Sequence, residues 1–226
     1  MAVAFDAFTA GDTGVGSFTV SHTPVGTPRA AIALVKYTTL TGAVTYGGEV
    51  MTLVNGDALA GPSSANLAVY FLGSGVPTGA QDCANADSTG AHIGVITLTA
   101  DSDTEVTAFA DIPNAAASGD VTDTFDVGAV SAFVAELFAQ NGNGIGNATP
   151  LAGWTDREET DEGAFTSGDY TLDALSTGVT TFGLNITNEE EVAVRAVAVA
   201  EVAAGGVVVG SGLTTGLKLE RRRLAA

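Results

Sequence analysis

Apolar and polar positions alternate along this chain in short runs. Phe18, Val20 and His22 alternate with Ser17, Thr19 and Ser21, the period-two rhythm of a strand with one covered face. Residues 29–37 (RAAIALVKY) and 67–72 (LAVYFL) are apolar in both registers, which predicts strands covered on both sides. Val44 to Tyr46 and Val50 to Val54 flank Gly47-Gly48, and adjacent glycines supply the positive φ angles of a tight hairpin. Asn55-Gly56 closes the next turn. GVITLTA (94–100) and EVTAFADI (105–112) are parted by Asp101-Ser102-Asp103-Thr104, turn chemistry that predicts a second hairpin. VTTFGLNIT (179–187) and EVAVRAVAVAEVA (191–203) read as two strands joined by Asn188-Glu189-Glu190. Residues 76–92, 113–122 and 141–147 read as loops. In 129–139, Val130, Phe133, Val134, Leu137 and Phe138 fit helical spacing, whereas the surrounding chain is uniformly β-like.

These patterns predict an all-β protein: one antiparallel β-sandwich, jelly-roll-like, over residues 1–204. A short C-terminal extension, 205–226, holds a Gly-framed β-like run and a basic tail. A single all-β domain of 226 residues needs no second core.

Composition narrows the function. Acidic residues number 26 against 8 basic ones, a formal charge of −18, which repels phosphate backbones and argues against nucleic-acid binding. Such acidity suits solubility in salt and fits a halophilic source. The lone Cys83 has no partner for an internal disulfide. No stretch reaches the apolar length of a membrane helix, and the first residues lack the features of a secretory signal. Half of the six arginines, Arg221, Arg222 and Arg223, lie in the tail. Together with Leu217 and Leu219 they form a candidate docking arm for acidic partner surface.

A run of motifs in fixed order carries a resemblance. Ser21-His22-Thr23 precedes the Arg29-led apolar strand; Val44 to Gly48 (VTYGG) leads into Met51-Thr52; later come GWTDREETDEGAF, a Gly-Asp-Tyr segment and the long Val/Ala strand. Across residues 15–203 this resembles a family of β-sandwich domains found in tailed-phage particle proteins and in bacterial proteins of unknown function. The resemblance implies a structural part in a virion, and a strand rather than a helix at 129–139. The acidity and the C-terminal tail depart from the family pattern.

Candidate chemistry is sparse. His22 and His92 lack metal-ligand spacing and read as structural, and Cys83 has no CxxC partner. A Cys83–His92 nucleophilic pair has no orienting motif around it. Asp101, Asp103 and Glu105 alternate across a turn, and their oxygens are a candidate Ca²⁺ set; no other cofactor is expected. Asp156 to Glu162 is an acidic run after Trp154; it reads as a solvated face, with glycosidase chemistry as the sharper alternative. Trp154 and Tyr170 are candidate sugar platforms. Asn147-Ala148-Thr149 and Asn185-Ile186-Thr187 match the glycosylation sequon.

The reading is therefore a non-enzymatic virion structural protein of a tailed virus, assembled in the host cytoplasm. It would decorate the capsid or form a turret, tail-fibre or baseplate element, as a cyclic homo-oligomer contacting other virion proteins. The alternative is a carbohydrate-binding module for host glycans.

Overall fold

The computed structural model describes residues 2–141, 147–161, 165–172 and 174–202. These residues form an antiparallel β-sandwich, the class the pattern predicts, with two short 3₁₀ turns at Val54–Gly56 and Pro62–Ser64.

The first sheet holds β1 (Ala4–His22), β2 (Ala30–Tyr37), β3 (Thr39–Tyr46), β4 (Glu49–Val50), β5 (Thr52–Leu53), β6 (Leu59–Ala60), β7 (Asn66–Leu72) and β8 (Gln81–Thr99). β1 runs along one side of β8, and β2 and β3 lie in series along the other. The order β4-β3-β8-β2-β7-β5 ends in two strands separated only by Met51. The sheet therefore curls until it nearly meets itself, and Met51 N donates to Val44 O at 2.9 Å across the join. The Gly47-Gly48 hairpin forms as predicted, with φ of 58° and 86°.

The second sheet repeats this plan with β9 (Thr104–Asp126), β10 (Phe133–Asn141), β11 (Ala148–Pro150), β12 (Trp154–Asp161), β13 (Phe165–Leu172) and β14 (Val179–Glu201). β9 flanks one side of β14, and β10 and β11 lie in series on the other. The order β11-β14-β10-β13-β12 ends in two strands joined by a tight turn. There Gly153 has φ 89°, matching Gly48 in the first sheet. Tyr70 sits opposite Ala33, and Tyr170 opposite Glu136, at matching stations of β7 and β13. Each tyrosine is followed two residues on by a leucine, and then by a glycine, Gly75 or Gly178, with φ 67°. The halves meet reciprocally: β2 against β10, β7 against β14, and β13 against β8. That is the contact pattern of an isologous two-fold interface, here within one chain.

Period two explains the packing. Along β2, Ala30, Ile32 and Leu34 face the core between the sheets, while Ala31, Ala33 and Val35 face the inside of the first curl. Along β10, Phe133, Ala135, Leu137 and Ala139 face the shared core, and Val134 and Phe138 the inside of the second curl. Three apolar cores result. The central strands are covered on both sides because each sheet is both a curl and a layer.

The structure departs from the sequence reading at several elements. Asp101 to Thr104 do not close a hairpin: β8 and β9 lie in different sheets, and this turn carries the chain across. Residues 81–92 and 113–122, read as loops, are the outer parts of β8 and β9. Their small and polar residues belong to ribbons that reach beyond the shared core. Asn188 to Glu190 is a register irregularity within one strand, β14, not a connection between two. β10 is a strand, as the resemblance implies. A strand buried on both faces is apolar at nearly every position, so it satisfies helical spacing by default. The chain path is sequential, 4–99 in one sheet and 104–201 in the other, whereas a jelly roll interleaves its strands between sheets.

Candidate functional site

The densest chemistry lies in the seam between the sheets. His92, on β8, is fully buried. Its Nδ1 is 2.7 Å from Asp12 Oδ1 on β1, directly opposite in the register, and its Nε2 is 3.1 Å from Asp169 Oδ2 on β13 of the other sheet. Thr160 on β12 donates to the second Asp12 oxygen at 3.2 Å. Lys36, opposite His92 on β2, donates to Gly90 O at 3.0 Å. Burial works against charge on His92, but the Asp169 and Asp12 carboxylates outweigh it and raise its pKa to about 10. Burial pushes the Asp169 carboxyl up, with His92 pulling against it. For Asp12, burial is outweighed by the hydrogen bond and charge of His92, and the net shift is downward. The cluster thus retains a proton well above the pH at which a free imidazole loses one.

A counterpart lies on β14. Arg195 grips Asp111, directly opposite on β9, through Nε (2.7 Å) and Nη2 (2.8 Å). Its Nη1 donates to Asp57 O of the first half at 2.7 Å. Each half therefore sends one buried cation from its last long strand. Each cation is held by a carboxylate on the flanking strand of its own sheet and by an aspartate of the other half. Such fork-shaped and doubly bonded pairs offset the cost of burying charge.

Inside the second curl, Glu136 is fully buried; its Oε2 accepts from Gly183 N at 2.8 Å and its Oε1 has no partner. Burial raises its pKa well above the ordinary carboxylate range, with the Gly183 hydrogen bond pulling against it. Both Gln140 amide atoms and the Tyr170 hydroxyl are likewise buried without partners. Inside the first curl, His22 bridges Thr9 and Thr97, at 3.0 Å each. Thr97 gives its proton to Asp6 at 2.9 Å, so it accepts from His22 Nε2–H, and Nδ1 accepts from Thr9. Burial lowers the His22 pKa, which fits this neutral tautomer.

The residues that the sequence singles out fall elsewhere. Trp154 is 7% exposed and Tyr170 0%, and the Tyr170 ring lies 5.1 Å from that of Phe138. Both are core residues of the second curl, so neither presents a ring face to a sugar. Asp101 and Asp103 lie in the crossing turn and Glu105 on β9. Among the described residues no group of three acidic, His or Cys side chains is placed to hold a metal ion, this set included. Asp156 to Asp161 of the acidic run lie on the strand β12, on which neighbouring carboxylates such as Glu158 and Glu159 point to opposite faces, and charge on an edge discourages wrong pairing; Glu162 lies outside the described residues. Cys83 lines the core of the first curl, whereas His92 lies in the seam, so the two form no nucleophilic pair. Burial raises the thiol to about 12. Asn185 donates to Asp120 at 2.7 Å on β14. Leu217, Leu219, Arg221, Arg222 and Arg223 lie outside the described residues.

Sequence reading passed over Asp12, Asp169, Glu136 and Arg195. A signal existed for two of them: Glu136 interrupts the apolar run around Leu137, and Arg195 interrupts EVAVRAVAVA. A charge inside a run covered on both faces must find a partner or neutralise. The arrangement holds protons and ties strands together. No family model matches the chain, and neither a curated protein nor a solved structure does.

Proposed function

We propose that this chain is a non-enzymatic structural protein of a tailed-virus particle, displayed on the capsid or tail as one subunit of a homo-oligomer. The observation that carries the reading is the pair of long flanking strands. Among the described residues β1 pairs only with β8 and β9 only with β14, and their outer parts reach beyond the shared core. Open edges of this length call for a cover, and copies of the same chain or neighbouring particle proteins supply one. The order of motifs from Ser21-His22-Thr23 to the Val/Ala strand supports the same reading through its family resemblance. So does the use of buried charge for joining sheets. The basic tail, Leu217 to Arg223, suits an acidic neighbour.

Light scattering on the purified chain, together with mass spectrometry and antibody-gold microscopy of purified particles, tests this. The expected result is a closed oligomer and label on intact particles. A monomer absent from particles rejects it.

A further inference from the structure

We propose that Asn55 is a site of spontaneous deamidation, and that the change at this turn loosens the tie between Asp57 and Arg195 that joins the two halves.

Asparagine is chemically labile, and Asn55-Gly56 is the dipeptide in which its side chain meets least resistance. The Gly56 nitrogen makes the attack, and a residue without Cβ leaves that approach unhindered. Both residues are exposed, in a three-residue 3₁₀ turn at the surface. Asn55 holds φ 62° and Gly56 φ 74°. A Cβ added at Gly56 would meet nothing within 4 Å. So short a turn, with open space beside it, opens locally at small cost. Opening frees the chain to bring the Gly56 nitrogen onto the Asn55 amide carbon.

The step balances with water as its one co-reactant. Hydroxide takes the Gly56 N–H proton, and the nitrogen bonds to Asn55 Cγ. The Cγ–Nδ2 bond breaks, and Nδ2 leaves as ammonia with a proton from water, which restores the hydroxide. A cyclic imide remains. Water then adds to either imide carbonyl and opens the ring. Attack at Cγ gives aspartate; attack at the main-chain carbonyl gives isoaspartate, whose backbone runs through Cβ. Nothing is oxidised or reduced.

The surroundings of Asn55 link this chemistry to the joint. Asn55 Nδ2 donates to Asp57 Oδ1 at 3.2 Å. After the reaction a second carboxylate stands where that donor was, and in isoaspartate the main chain entering Asp57 is longer. Asp57 O accepts from Arg195 Nη1 at 2.7 Å, and Asp57 Oδ1 lies 3.4 Å from Nη2. The Arg195 side chain is 3% exposed, so an N–H that loses Asp57 finds little water to replace it.

Incubation of the full chain in heavy-oxygen water at mildly alkaline pH, followed by digestion and mass spectrometry, tests the site. The peptide carrying Asn55 is expected to become an acid with one heavy oxygen and to resolve into aspartyl and isoaspartyl forms. Asn66 and Asn85, followed by Leu67 and Ala86, should keep their amides, and peptides from 141–144, where the same dipeptide occurs twice, are read separately. An intact amide at Asn55 overturns the proposal, and so does aspartate as the sole product, which direct hydrolysis gives. Ion exchange then isolates protein altered at Asn55. Its melting midpoint should shift downward, and hydrogen exchange at the Arg195 guanidinium should quicken severalfold. Asn55→Gly, which suits φ 62° and has no amide to lose, should keep both values through the same incubation. Unchanged Arg195 exchange in the altered protein, or an equal drop in Asn55→Gly, overturns the link to the joint.

Discussion

His92 Nε2 lies 3.1 Å from Asp169 Oδ2, with both side chains at 0% exposure and each contributed by a different half of the chain. This is a buried ion pair across the joint between the halves. Its pH dependence is therefore a property of how the halves hold together.

The His92 pKa is raised from 6.5 to about 10 in the folded protein. A raised basic group contributes its full stabilisation below its unfolded value and loses it as pH rises through the folded one. Thermal stability is thus expected to fall between about pH 6.5 and 10. His92→Gln leaves Asp169 buried and unpaired, at a cost of about 3–5 kcal/mol, and removes this alkaline slope. Melting curves across that range check both; a variant with the same slope as the parent removes His92 as its source.

Glu136 gives a pH slope of the same sign, from a lower starting pH. Its folded pKa is raised above 4.5 by burial, so the folded state holds a proton that the unfolded state releases. Stability is expected to decline as pH rises above 4.5 toward the folded value, by up to about 1.4 kcal/mol per pH unit. Glu136→Gln removes the titration and keeps an amide oxygen for Gly183 N. Urea melts at acid, neutral and alkaline pH should show the variant gaining on the parent as pH increases. A constant difference would show that Glu136 does not titrate on unfolding.

Gly94 lies on β8 against Asp169, where an added Cβ would meet Asp169 Oδ2 at 1.9 Å. Gly94→Ala is expected to destabilise by about 1–3 kcal/mol through overpacking and to displace Asp169 from His92. Denaturant melts measure the loss. The His92 imidazole resonances, followed by NMR titration, should move toward a lower pKa in the variant.

Cys83 is fully buried, with its thiol raised to about 12. A maleimide at neutral pH should label it only when the first curl opens, at a rate that follows denaturant-induced unfolding. Rapid labelling of native protein would place Cys83 at an accessible surface.

The pattern of residues made much of the fold legible. The alternation at Phe18, Val20 and His22 gave β1 its buried face, and Gly47-Gly48 forms the hairpin it announces. The errors share one cause. Asp101 to Thr104 have turn chemistry whether the flanking strands pair with each other or part into separate sheets, because the turn is local and the pairing is not. Residues 113–122 look like a loop because an exposed ribbon tolerates the small and polar residues that loops use. The repeat of one strand plan escaped notice because side-chain identity survives at few stations, such as Tyr70 and Tyr170, while the pairing order of the long strands is retained. Trp154 and Tyr170 look like platforms because aromatic type does not reveal which face of a curled sheet a residue occupies.

By itself the sequence determined that the chain is all-β, that Gly47-Gly48 closes a hairpin, and that central strands such as β2 and β7 are covered on both sides. Those properties depend on neighbours within a few residues, through steric preference and period-two burial. Tertiary structure alone decided that each half curls upon itself, that the halves meet like partners in a dimer, and that His92 finds Asp169 while Arg195 finds Asp57. These pairs lie far apart along the chain, and only packing in three dimensions makes their burial together less costly than leaving each charge alone.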